Sequence, residues 1–339
     1  MKASRWRRAA DDAGRRPADD AGRRPPLVLL GPRGGDLALP DVVRELEAAG
    51  ALSRGARIAA ITSGWRDREA NEGLIDPCLA DRVVDLELYR RSDRIAEADA
   101  ELARAHRETR DRLRSLRRAY NLRLHGLIEA HQRLAELRGD ESVLRAERDE
   151  ALGAIRRLDA RHLSRVTEIR SEFERRMTPS ERDAVRLQRR EVGERLEGTE
   201  AIVLEGGHVG NLLSRLRLFG GRKLLDGRPV IGRSAGAMVL TERVVLFHDR
   251  PPWGEGHPEV FDAGLGIAEG LVALPHASAR LALDDRTRGA RLAARFSPAS
   301  CVLLDPGHRL DRAGHGWSGG DGVERLDAAG RRVPFRTAA

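Results

Sequence analysis

Pro229-Val230-Ile231-Gly232-Arg233-Ser234-Ala235-Gly236-Ala237-Met238-Val239-Leu240 is the stretch on which the chain turns. Val230-Ile231 is a short β-branched apolar run ending at a glycine. A serine follows between small residues, and Ala237-Met238-Val239-Leu240 reads as the start of a helix. Gly-x-Ser-x-Gly in a strand–turn–helix setting is what a nucleophile elbow requires. Glycines tolerate the sharp turn, and small neighbours let a carbonyl group approach the hydroxyl. The N–H of Ala235, at the helix N-terminus, is expected to point where an oxyanion would form.

Outward from the elbow, the pattern alternates strands with helices. Ala201 to Leu204 is a strand running into Glu205-Gly206-Gly207-His208, and Asn211 to Phe219 is the next helix. Beyond the elbow come Val244 to Phe247, a Pro/Gly-rich loop over 251–258, and a strand that runs through Leu274-Pro275 into His276. A helix over 286–296, a strand over 301–305 and a hairpin over 323–335 turning at Ala328-Ala329-Gly330 close the chain. On the N-terminal side, Leu27 to Leu30 and Arg57 to Thr62 are strands, with a helix opening at Pro40-Asp41 and stopping near Gly50. Val83 to Leu88 alternates and is predicted as a third strand. This order predicts a parallel α/β sheet with ligands at the carboxyl ends of its strands.

Two regions break the pattern. Residues 1–26 carry a tandem repeat, Ala10 to Pro17 and Ala18 to Pro25, which is basic, polar and expected to be disordered. From about Asp93 to Met177 there is no proline and charges dominate. Leu113, Leu116, Tyr120, Leu127, Leu134 and Leu137 form one seam there, and Leu152, Ile155, Val166, Ile169 and Phe173 another. With Gly139-Asp140 as the reversal, this predicts an inserted antiparallel helical hairpin of coiled-coil type. Thr178-Pro179-Ser180-Glu181 reads as a capping box that starts a further helix to about Leu196. The expected organisation is a tail (1–26), a first α/β part (27–92), the insertion (93–177) and a second α/β part with the elbow (178–339).

Charged residues make up 34% of the 339 and aromatics 4%, so much of the chain is solvent-facing helix. The net charge of +8 rests almost wholly on arginine, interspersed with acids, and makes no basic stripe; nucleic acid is not the expected partner. Cys78 and Cys301 lack metal or redox spacing, and no secretory signal is evident, which places the protein by default in the reducing cytoplasm. No apolar run approaches the roughly 20 residues that span a bilayer.

A serine nucleophile needs a base to take its proton and an acid to orient that base. His276 and Asp305 each end a strongly apolar strand, so Ser234, His276 and Asp305 form a triad candidate in that order. Asp305, His308 and His315 match no standard metal spacing, and neither metal nor cofactor is expected.

The run Glu205-Gly206-Gly207-His208, then Gly232-Arg233-Ser234-Ala235-Gly236-Ala237 about 25 residues on, then Leu274-Pro275-His276 followed by Arg280, Arg286 and Arg291-Leu292, resembles peptidase family S51. That family includes aspartyl dipeptidase and cyanophycinase. The resemblance covers roughly 27–92 and 196–335. It implies a three-layer, mostly parallel sheet of the class I glutamine amidotransferase-like type, with Ser234 as nucleophile and His276 as base. It also implies that the N–H groups of Gly207 and Ala235 form the oxyanion hole. Three positions depart from the family's pattern: His208 stands for Asn, Arg233 for Thr, and Pro306 for the glutamate of an Ile-Asp-Glu-Gly stretch, which leaves Asp305 as the acid or leaves a dyad. Arg233 is a candidate to pair with a substrate carboxylate or else with an acid of the protein, and His208 to contact substrate or to replace a hydrogen-bonding Asn.

The expected activity is therefore cleavage of a small peptide or isopeptide, aspartyl by family resemblance, through an acyl-enzyme. The rival reading is a catalytically silent α/β domain acting as a binding or assembly module through its helical insertion, including self-association. Glutamine amidotransfer is disfavoured, because the elbow carries serine and neither cysteine occupies it.

Overall fold

The computed structural model describes residues 24–69, 76–247, 256–313 and 316–336. Residues 1–23 of the expected disordered tail, most of the 251–258 loop and His315 fall outside the described residues.

Five parallel strands make the body of a seven-stranded sheet: β1 (Leu27–Leu30), β2 (Arg57–Ile61), β3 (Val83–Asp85), β4 (Thr199–Leu204) and β5 (Val230–Arg233). The order is β1-β5-β4-β2-β3, extended beyond β1 by two antiparallel strands over Arg309–Ala313 and Gly316–Gly319. Period-two alternation divides the sheet residues between two apolar layers. Val28, Leu30, Ile58, Val203 and Ile231 face the helix Leu39–Ala48 (α1) through Leu39, Val42, Val43 and Leu46. Leu27, Leu29, Ile61, Ile202 and Leu204 face the opposite layer. That layer draws on α2 (Leu88–Ala98), the ends of two long helices, α3 (Ala100–Glu136) and α4 (Glu141–Met177), then α5 (Asp183–Leu196) and α6 (Val209–Leu218).

After the elbow helix α7 (Ala235–Leu240), strands β6 (Arg243–Leu246) and β7 (Glu259–Ala263) pair antiparallel. Strands β8 (Leu271–Pro275) and β9 (Ser300–Leu304) pair parallel in a second sheet, finished by the hairpin Glu324–Leu326 and Arg332–Pro334. Helix α8 (Arg286–Phe296) covers this sheet. The middles of α3 and α4 pack on it too: Tyr120, Leu124, Ile128, Ile155 and Leu158 share one core with Leu274, Ala277, Phe296 and Leu303.

Three sequence expectations give way here. Only Val83–Asp85 of the third strand is extended; Glu87 turns left-handed (φ 52°) and Leu88 begins α2. The two carboxylate oxygens of Glu69 accept the N–H groups of Tyr89 and Arg90 and so cap α2. That cap lies twenty residues away in sequence, where a local pattern does not see it. Thr178 is not a capping-box residue either. It ends α4 at φ 38°, Pro179–Glu181 forms a 3-10 turn, and α5 starts at Asp183 after Arg182, whose guanidinium grips Asp99 at the N-terminus of α3. In α3, Leu124 and Ile128 are buried where the seven-residue seam named Leu127 and Leu134, and Leu137 is 53% exposed. A straight helix drifts from a strict heptad, and α3 must satisfy the second sheet as well as α4. The second seam holds at Ile155, Val166, Ile169 and Phe173.

Candidate active site

Ser234 follows directly on β5 and precedes α7, with φ 53° and ψ −113°. An L-residue is strained there by about 1–3 kcal/mol. The strain is held by a hydrogen bond from the Ser234 N–H to the Leu30 carbonyl (2.9 Å) and one from the Met238 N–H to the Ser234 carbonyl (3.1 Å). Both flanking glycines are required by contact. A Cβ on Gly236 would lie 2.1 Å from the Leu204 carbonyl oxygen, and one on Gly232 would lie 3.0 Å from the backbone of Gly236. Among the described residues the Ser234 hydroxyl makes no hydrogen bond to protein, and the residue is half-buried.

The loops leaving β2 and β4 close round it. A Cβ on Gly206 would sit 3.2 Å from Ser234 Cβ and 3.5 Å from its Oγ. Gly207 takes φ 101°, and a side chain there would strike the Gly64 carbonyl at 2.5 Å. The His208 N–H donates to that same carbonyl (2.7 Å). The N–H groups of Gly207 and Ala235 donate to no acceptor among the described residues. His208 Nδ1 accepts the Asn211 N–H (3.1 Å), so its ring is the N-cap of α6. Burial, with Arg66 and Arg117, holds this imidazole below its ordinary pKa and so neutral. Of the two roles weighed for His208, this contact is the one a hydrogen-bonding Asn would make.

Arg233 is buried, with Nη1 3.4 Å from Glu205, and Arg33 reaches the same carboxylate oxygen at 3.5 Å. Desolvation lowers the Arg233 pKa, and Glu205 works against that shift. Of the two pairings open to it, the structure gives Arg233 an acid of the protein. That acid is itself buried at the end of β4, and it was legible only as the first residue of the Glu205-Gly206-Gly207 run.

His276 follows β8 at φ 58°, its N–H bonded to the Leu304 carbonyl (3.1 Å), which sets it beside Asp305 at the end of β9. A Cβ on Gly31, at the end of β1, would meet the Asp305 carbonyl oxygen at 1.9 Å, and the Gly31 N–H bonds the His308 carbonyl. Leu30 and Gly31 thus bridge the elbow to the His276–Asp305 corner. Burial first, then Arg280, lowers the His276 pKa, while Asp305 pulls it up. No hydrogen bond joins His276 to Ser234 or to Asp305 among the described residues. The Asp305 carboxylate is taken instead by Ser278, through its hydroxyl (2.6 Å) and its N–H (3.0 and 3.3 Å). Ser278 escaped the sequence reading, although it stands two residues past the histidine. Asp305 thereby clamps the turn that carries His276. The His308 Nδ1 faces both the Asp305 N–H and the Leu303 carbonyl, and its tautomer decides which of the two it bonds.

The resemblance read from the motifs is borne out: the model of peptidase family S51 matches residues 166–314. A crystal structure of a peptidase from an acI-B1 Actinobacterium aligns at 17% identity and a TM-score of 0.43, over 92% of this chain and 97% of that one. No curated protein matches the sequence.

Proposed function

We propose that the segment matching peptidase family S51 carries a serine-type peptidase site acting on a small peptide or isopeptide. One observation carries the reading: Ser234 is held at positive φ with its hydroxyl unengaged by protein and with two unspent N–H groups, of Gly207 and Ala235, on neighbouring backbone. In this scheme Ser234 Oγ attacks the scissile carbonyl carbon and its proton passes to His276. The carbonyl oxygen, now an alkoxide, takes the two N–H groups. Collapse expels the amine, which receives the proton from His276 and leaves an ester on Ser234. Water, deprotonated by the same imidazole, then releases the acid and restores the hydroxyl. Catalytic hydrogen bonds are often long before substrate closes them, so the absence of a Ser234–His276 bond in the free chain is compatible with this route.

Asp305 acts on His276 by charge and by holding the Ser278 turn. An acidic residue near the scissile bond is proposed from the resemblance to the family alone, because the Arg233 guanidinium beside the nucleophile is held by Glu205. Serine rather than cysteine chemistry is the reading because the elbow carries serine; Cys301 is buried with its thiol pushed up to about 12, and Cys78 lies in the 3-10 turn before β3. The same proposal takes residues 27–92 and 178–339 as one class I glutamine amidotransferase-like domain, 93–177 as its insertion, and the reducing cytoplasm as its setting. Among the described residues no helix is long and apolar enough to cross a membrane.

Covalent labelling with a fluorophosphonate tests the proposal. The wild-type chain should label at Ser234 and Ser234→Ala should not; a folded wild type that stays unlabelled and cleaves no peptide overturns it.

A further inference from the structure

A second strained residue stands beside the elbow. In the turn Ser63–Arg68, which leaves β2, Arg66 takes φ 58° and ψ −124°. Ser234 lies close to those angles, at φ 53° and ψ −113°, and Gly221 shares them. Glycine meets that conformation freely, whereas a residue with a side chain is strained in it. The turn is tied at both ends among the described residues. The Trp65 N–H donates to the Thr62 carbonyl and the Glu69 N–H to the Arg66 carbonyl (2.8 Å each), and the Glu69 carboxylate caps α2. An arginine is thus held where glycine would be easier. Its guanidinium is exposed and makes no hydrogen bond or ion pair among the described residues, not even with Asp67 beside it.

The turn is pressed against the loop of the proposed oxyanion hole. A Cβ on Gly64 would lie 2.3 Å from the Gly206 carbonyl oxygen, and the Gly64 carbonyl accepts the His208 N–H. A Cβ on Gly207 would lie 3.0 Å from Trp65 Cδ1, so the indole meets that glycine through the carbon bonded to Nε1. Trp65 is partly exposed, and its Nε1–H is open to solvent and donates to nothing among the described residues. A Cβ on Gly206 would lie 3.5 Å from Ser234 Oγ. Joined by one Cα–Cα step of about 3.8 Å, these contacts set Trp65 Cδ1 at most about 13 Å from the nucleophile. An attacked carbon lies about 3 Å from Oγ, a carboxylate on a neighbouring position reaches about 5 Å further, and a hydrogen bond spans about 3 Å more. A dipeptide therefore covers about that upper limit. The charge of Arg66 is felt there too: after burial, it is what most lowers the His208 pKa.

We infer that Trp65 Nε1–H and the Arg66 guanidinium form a carboxylate subsite on the Gly206–Gly207 side of Ser234, with Arg66 as a specificity-determining residue. That the carboxylate belongs to a substrate rests on the peptidase reading. A fork of guanidinium donors with one indole donor beside it suits a two-oxygen anion. The anion is either the terminal carboxylate of the residue after the scissile bond or an acidic side chain next to that bond.

Four dipeptides separate the two sources: Asp-Leu, Asn-Leu and the C-terminal amides of both. Cleavage is scored as kcat/KM, and binding by calorimetry in the Ser234→Ala background. In Arg66→Gly, either the acid-over-amide ratio at the C-terminus or the Asp-over-Asn ratio should fall by about tenfold, as loss of a charge-assisted hydrogen bond implies. Trp65→Phe keeps a ring against Gly207 without the N–H and should lower the same ratio by about threefold. The urea midpoint of Arg66→Gly should be unchanged or raised, since glycine accepts these angles. Lost discrimination without lost stability is an outcome that a merely structural arginine does not give. Ratios unchanged in both variants, or a lowered midpoint in Arg66→Gly, overturn the subsite; if fluorophosphonate labels the wild type, the peptidase reading still stands. A binding ratio lost in the Ser234→Ala background, with no labelling of the wild type, supports the subsite and overturns the peptidase. Neither cleavage nor binding of any of the four overturns the subsite.

Discussion

At Gly206 and Gly236 the same added methyl group would meet different kinds of neighbour, and the two alanine variants should therefore fail differently. At Gly236 the obstacle is the Leu204 carbonyl oxygen, 2.1 Å from an added Cβ and fixed in the central sheet. Backbone cannot step aside as a side chain can, so Gly236→Ala should cost about 3 kcal/mol or more, visible as a lowered urea midpoint. At Gly206 the neighbours are Ser234 Cβ and Oγ at 3.2 and 3.5 Å, which is tight without being a collision. Gly206→Ala should keep its urea midpoint within about 1 kcal/mol of wild type and lose fluorophosphonate labelling rate by tenfold or more, because the methyl occupies the approach to the hydroxyl. His276 makes a prediction of its own. Burial and Arg280 lower its pKa from 6.5 despite Asp305, so in the proposed role of base it is neutral at pH 7. The acid limb of kcat/KM should fall below 6.5, and Arg280→Ala, which removes one lowering influence, should move that limb upward. A limb that moves down, or stays in place, would remove Arg280 from the electrostatics of the base.

At the scale of elements, the joint between the long helices and the second sheet is a polar core inside an apolar one. Arg295 of α8 donates through Nε and Nη2 to Asp159 of α4 (2.7 Å each), through Nη2 to the Tyr120 hydroxyl (2.9 Å) and through Nη1 to the Pro258 carbonyl (2.6 Å). Tyr120 in turn accepts the Val260 N–H (3.0 Å) and donates to Asp159 (2.8 Å). Removing the acid strands a buried guanidinium: Asp159→Ala should cost about 3–5 kcal/mol. Tyr120→Phe leaves Asp159 and Arg295 engaged with each other but takes from the buried Val260 N–H the hydroxyl it donates to, so about 1–3 kcal/mol is expected. Urea unfolding of both variants checks the ranking, and equal costs would mean that the ion pair does not dominate the joint. This joint also marks what the sequence could convey. The strands ending at Leu30, Arg233, Pro275 and Leu304, the elbow and its glycine pair were readable, because each is a local pattern with a local physical cause. The helical stretch was readable as helix, with Tyr120 named in its seam, but its second contact surface was not. Asp159 and Arg295 carry no pattern of their own, and they meet across a sequence separation of 136. The Asp305–Ser278 contact and the Glu69 cap on α2 were hidden for the same reason.

Over the whole molecule, two buried groups set opposing pH dependences. His106 packs 4.5 Å from the Phe173 ring in the layer between α3 and α4, and burial, with Arg215, Arg170 and Arg110, lowers its pKa to about 4. The unfolded chain takes up that proton from about 6.5 downward while the folded chain resists. Its contribution is therefore intact above 6.5 and lost as pH falls towards 4. Glu69 is the reverse. Burial first, with Asp85 and Glu87, raises its pKa to about 7 against the pull of the Tyr89 and Arg90 N–H groups. The folded chain keeps that proton where the unfolded chain has shed it, so stability falls as pH rises from about 4.5 to 7. Each shift corresponds to something on the order of 3 kcal/mol, and the two slopes overlap between about 4.5 and 6.5. Wild-type stability across that interval should be flatter than either group alone would make it. His131, His162, His208 and His276 are lowered as well, and burial raises Asp93, Glu174 and Asp311, so each of the two slopes has further contributors. Single variants separate the contributions. Glu69→Gln should steepen the rise of stability with pH, and His106→Leu should flatten or invert it, whatever each change does to stability at one fixed pH. Urea midpoints measured every half unit from pH 4.5 to 7 would read both slopes. Parallel curves for wild type and Glu69→Gln would mean that this carboxyl titrates alike in the folded and unfolded chain.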